Sequence, residues 1–115
     1  MGDNICRMQL WTGLLCLVPN PDCKDFRRFG DGRGAYVNVV TWAESAKHFE
    51  DRVTAIALEQ LDCIVRELER VELLESAVRR DGCPDELFTM RETAERQPND
   101  VVFGTFHTWT QSDLN

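Results

Sequence analysis

Only two histidines, His48 and His107, and one tyrosine, Tyr36, occur in the 115 residues. That scarcity removes most catalytic and metal chemistry at the outset. A structural zinc site needs four nitrogen or sulfur ligands in close clusters, but Cys6, Cys16, Cys23, Cys63 and Cys83 contain no C-x-x-C pair and neither histidine joins them. Widely spaced cysteines in odd number read as reduced thiols of a cytoplasmic protein, and no metal or cofactor is expected. No apolar run approaches the roughly 20 residues that cross a bilayer. The opening Met1-Gly2-Asp3-Asn4-Ile5-Cys6 lacks the basic region of a secretory signal, and Cys6 stands where a myristoylation pattern wants Ser or Thr.

Basic charge is also short, with 13 Lys and Arg against 20 Asp and Glu, a net charge of −7. A field of that sign repels phosphate backbones and anionic lipid, which excludes nucleic acid and membrane and leaves a basic protein as the charge-complementary partner. The length suits one core, so a single domain over 1–115 is expected, with residues 1–6 and 111–115 as flexible ends.

What is present is patterned. Residues 8–18 are apolar enough for a strand and stop at Pro19-Asn20-Pro21-Asp22. A polar loop over 19–34 carries Lys24, Arg27 and Arg28 and closes on Gly30-Asp31-Gly32-Arg33-Gly34. Ala35–Trp42, rich in β-branched and aromatic residues, is a strand. Ser45 is placed to cap a helix over 45–61 whose Phe49, Val53, Ala57 and Leu61 recur at helical spacing. Two readings compete for 62–80: a strand over Ile64–Leu74, which we favour, or one helix over 45–80 in which Ile64, Leu68, Val71 and Val78 continue the stripe. Pro84-Asp85-Glu86 opens a second helix ending before Pro98, and Val101–Thr110 is the last strand. The expected fold is an α+β two-layer sandwich, a mainly antiparallel sheet with helices on one face in the order β-β-α-β-α-β, a ferredoxin-like variant. The alternative is three strands plus the long helix.

Strand alternation sorts side chains by parity. Each strand has one mostly aliphatic side, the natural seat for helices, and one aromatic, partly polar side. The second set, Trp11, Tyr36, Asn38, Trp42, Phe103, His107 and Trp109, is expected to share one helix-free face and form a ligand-binding or dimer surface. A bulge at Gly13 or Gly104 would flip the side chains beyond it, and an ordinary core closed by the 19–34 loop and the tail accounts for the same aromatics.

His107 is the one candidate general base, and it needs an acid from Glu67, Glu69 or Glu72 to orient it. A lone strand histidine is more commonly a packed residue. Gly30-Asp31-Gly32-Arg33-Gly34 with Arg28 suggests an anion cradle, but it lacks the Lys-Ser/Thr of a phosphate loop and precedes a strand, so turn geometry explains it better. Glu67, Glu69, Glu72 and Glu75 form either an acidic docking stripe or a solvated edge. The RNA-binding signature of aromatic sheet faces is absent.

The glycine-rich approach to Ala35-Tyr36-Val37-Asn38-Val39-Val40, the Phe49 helix and the closing Phe103-Gly104-Thr105-Phe106-His107 strand resemble small bacterial α+β proteins of mobile elements, of the integron gene cassette type. The resemblance covers residues 30–108 and transfers no function. Three functions follow as expectations: a non-enzymatic homodimeric module using the aromatic face, for itself or a small apolar ligand; an acidic immunity- or antitoxin-like protein masking a basic partner; and a small hydrolase or isomerase built on His107.

Overall fold

The computed structural model describes residues 8–23, 26, 29–30 and 32–109. The expected flexible ends, Cys6, and the loop residues Lys24, Arg27, Arg28 and Asp31 lie outside that set.

Strand β1 (Gln9–Pro19) pairs antiparallel with β2 (Gly34–Ala43) from Gln9↔Ala43 to Leu17↔Ala35 without a slip. Apolar residues stand at both parities of β2, with Val37, Val39 and Val40 all at 0% exposure, so both faces of the sheet demand cover.

Helix α1 (Ala46–Leu61) starts where Ser45 Oγ accepts the His48 amide at 3.1 Å. It buries Phe49, Val53 and Ala57, one turn apart, against Leu15, Leu17, Val37 and Val39. Gly13 leaves room for the Phe49 ring, which would stand 3.1 Å from an added Cβ. Asp62 ends the helix in the left-handed conformation (φ 55, ψ 39), donating its amide to the Ala57 carbonyl. Asn20 fixes this corner, its amide 2.9 Å from the Asp62 carbonyl and its side chain 3.0 Å from Asp62 Oδ1. Hydrogen bonds from Cys23 and then Asn20 hold the Asp62 carboxyl below its ordinary range.

That turn overturns the 45–80 helix, and β3 (Cys63–Leu73) follows as an edge strand against β1. Two register shifts interrupt this pairing, leaving Arg66 and then Arg70 as extra residues; Arg70 sits at φ 54. The bulge expected at Gly13 is thus on the opposite strand.

An unexpected helix, α2 (Leu74–Asp81), follows directly, then α3 (Asp85–Arg96), which begins after Pro84. Both pack on the face away from α1, where Val40, Leu74, Met90 and Ala94 form a second buried cluster. The expected last strand is split into β4 (Val102–Phe103) and β5 (His107–Trp109), both paired with β2. The register changes from Val39↔Phe103 to Tyr36↔His107, so the stretch through Gly104 absorbs one extra residue, the other bulge site anticipated.

Among the described residues the fold is α+β with an antiparallel sheet of five strands and three helices, in the order β3-β1-β2 followed by β4 and β5 in one shared column. Three expectations are corrected. The element order is β-β-α-β-α-α-β-β, not β-β-α-β-α-β. The strand order is not ferredoxin-like, because β1 lies directly between its sequence neighbour β2 and the edge strand β3. Helices cover both faces, because β2 is apolar on both.

Two substitutions test this account. A Cβ at Gly34 would lie 2.4 Å from the Trp109 ring and 2.7 Å from the Leu17 carbonyl, so Gly34→Ala should cost about 2–3 kcal/mol in urea unfolding. Arg70→Gly should instead raise stability by about 0.5 kcal/mol, since glycine relieves the left-handed penalty at the bulge.

Candidate functional site

Directly opposed residues share a face, so the β1–β2 register decides which aromatics meet. Trp11 opposes Thr41, whereas Tyr36 opposes Cys16 and Trp42 opposes Leu10. Trp11 therefore lies on the α1 face, packed on that core with its indole N–H donating to the Ala43 carbonyl at 3.1 Å. Phe103 is there too, stacked with Phe106 at 6.5 Å between ring centroids. The bulge at Gly104 separates it from His107. Trp42 is on the second face but beneath α3, donating to the Ala94 carbonyl at 2.9 Å. The expected seven-residue face thus divides, and four members remain together outside the helices: Tyr36, Asn38, His107 and Trp109.

These four lie on the half of the second face that α2 and α3 leave open. The register adds residues that sequence reading did not place there: Cys16 between Tyr36 and Glu67, Leu14 between Asn38 and Glu69, and Val18 beside Ile64. One row crosses the whole sheet, Glu67–Cys16–Tyr36–His107. Tyr36 and Ile64 are each 41% exposed, whereas Cys16 between the strands is 3% exposed. Trp109 packs its ring against Gly34, and its buried Nε1 has no hydrogen-bond partner among the described residues.

No protein-family model, curated protein or solved structure matches this chain. What the surface can do must be read from its own chemistry.

Tyr36 is held above its ordinary pKa, first by the charge and hydrogen bond of neighbouring Cys16 and then by Glu67 and Glu69. A phenol kept protonated donates hydrogen bonds and is a poor base. His107 pairs with Tyr36 across the sheet, while Glu67 lies three strand spacings away, about 14 Å. An acid at that range orients nothing. Among the described residues no group of His, Cys, Asp and Glu is placed to hold a metal ion.

Where the open half meets the helices, a cleft of about 190 Å³ runs beside Leu14, Asn38, Arg70, Glu86 and Met90. Its charges are largely matched internally. Arg80 clamps Glu72 through two hydrogen bonds of 2.8 and 2.7 Å and also holds Asp81. These bonds keep both carboxyls below their usual range. Glu86 accepts the Thr105 amide at 2.6 Å, tying α3 to the bulge. Gly104 lets that carboxylate approach closely, since an added Cβ would stand 2.0 Å from Glu86 Oε1 and push the side chain off its bond to the Thr105 amide. The loop expected as an anion cradle is only partly described; its Gly32 amide closes a turn on the Phe29 carbonyl at 2.8 Å.

With one tyrosine in the chain, ultraviolet titration reads Tyr36 alone. Its midpoint should lie above the ordinary value of about 10, and Cys16→Ala should bring it down. Because the folded value is raised, the stability linked to this group is fully present below the unfolded pKa and is lost as pH rises through the folded one.

Proposed function

We propose that this protein is a non-enzymatic interaction module that forms a homodimer through the open half of its second sheet face. The observation that carries the reading is the half-face itself, where exposed Tyr36 and Ile64 lie with Leu14, Val18, Asn38 and His107 on a surface that no helix among the described residues covers. Aromatic and aliphatic side chains with a polar rim are the composition of an interface core, and closed two-fold association is the commonest way to bury such a patch. The edge strands offer no competing route, since β3 is bulged and charged and β4 and β5 are short. A bacterial mobile-element setting and a cytoplasmic location belong to the same proposal; among the described residues no helix is long and apolar enough to cross a membrane.

A second reading, masking of a basic partner, is favoured by Glu67 and Glu69 on this face and by the net charge of −7. Light scattering during size exclusion separates the two. The homodimer should show twice the chain mass of 13.2 kDa at tens of micromolar, and Tyr36→Lys or Ile64→Lys should weaken association at least tenfold with an unchanged far-ultraviolet circular dichroism spectrum. A monomer at all concentrations, with steeply salt-dependent capture of basic proteins, would decide for masking.

A further inference from the structure

The open half-face is a shelf one layer deep. A helix packed on a sheet occupies about 10 Å, and a second sheet packed face to face sits at about the same height. A second copy of the sheet therefore fits beside α2 and α3 as a continuation of their layer. Among in-plane two-fold axes along or across the strands, only one achieves this for both copies. An axis parallel to the strands would drive each copy's α2 and α3 into the other's. An axis perpendicular to the strands, through the Tyr36 row, instead sets the helices of each copy beyond the end of the other's sheet.

Resting on the homodimer reading above, we propose that the partner on this shelf is a second copy related by that perpendicular axis, and that acidification through the histidine range dissociates the pair. The axis keeps each strand over its own counterpart. Leu14 meets Val18 of the other copy and Val18 meets its Leu14, a reciprocal apolar stripe, and Tyr36 stacks near its symmetry mate. Arg66 and Glu67, which together oppose Cys16 at the β3 bulge, become reciprocal ion-pair partners across the axis. His107 faces the other copy's His107. The groups facing it from its own chain are Tyr36 on β2 and, along the row, Cys16 on β1 and Glu67 on β3, with Glu69 one row away. Two neutral imidazoles tolerate this contact and two imidazolium ions repel, so protonation opposes association.

Sedimentation equilibrium at pH 7.5 and 5.5 tests the arrangement. The wild type should dimerise roughly tenfold more weakly at the lower pH, the effect of bringing two like charges together at the axis. His107→Gln should abolish or reverse that trend, because acid otherwise only reduces the repulsion between two chains of −7. E67R should weaken the dimer at pH 7.5 and R66E/E67R should restore it. A dimer whose pH slope survives His107→Gln, or whose R66E/E67R variant stays weak, overturns the axis and leaves the dimer standing. A monomer at both pH values overturns the homodimer reading itself.

Discussion

The unslipped β1–β2 ladder is the constraint on which the rest depends. Its register places Leu15, Leu17, Val37 and Val39 on one side, where α1 can bury Phe49, Val53 and Ala57, and Leu10, Val40 and Trp42 on the other, where α3 can take the Trp42 indole. A slip of one residue would exchange the two faces of one strand against the other. Both cores would then lose half their contributors. Every other pairing in the sheet is irregular: β3 is bulged twice and the last strand is broken around Gly104. Those irregularities are tolerable because the central pair supplies a fixed reference on which each outer strand docks locally.

The same irregularities explain what the amino-acid pattern could and could not convey. In β3 the residues reaching the α1 core are Cys63 and then Val65, Leu68 and Val71, the last three spaced three apart. A regular strand cannot put residues three apart on one face; a strand with a bulge in each interval can, because each extra residue restores the parity. The resulting spacing imitates a helix, which is why one helix over 45–80 competed with the strand until Asp62 was seen to close α1. Helix α2 was missed for the converse reason. It is eight residues long, lacks a side-chain N-cap and follows the strand without a punctuating residue. Strand existence, the Ser45 cap and the α3 start at Pro84 were legible because each has a local chemical signature.

Site residues were legible within strands and not between them. Tyr36 with Asn38, and His107 with Trp109, were rightly grouped, because parity inside a strand needs no knowledge of its partner. Joining Trp11 to Tyr36 required the β1–β2 register, and joining Phe103 to His107 required a strand without a bulge. Neither is encoded in a single strand. Helix placement was misjudged on the assumption that aromatic faces stay open and aliphatic faces are covered. Trp42 shows the flaw: an indole can be buried under a helix when a carbonyl is available to its N–H, here that of Ala94.

The exposed tyrosine is the part of this surface that most needs a physical reason. An exposed aromatic ordinarily loses rotamer freedom on association, and that loss subtracts from affinity. Tyr36 stands directly opposite Cys16 on the neighbouring strand, and Cys16 is itself locked in the ladder at 3% exposure. Part of the ordering is met during folding, since more than half of the residue is already covered. A ring that is 41% exposed has less rotamer freedom left to lose than a fully exposed tyrosine would. Had Cys16 been larger, its side chain would compete with the ring for space in the row Glu67–Cys16–Tyr36–His107. A small residue at that position leaves the aromatic side chain room beside its neighbours, so part of its rotamer freedom is spent before any partner arrives.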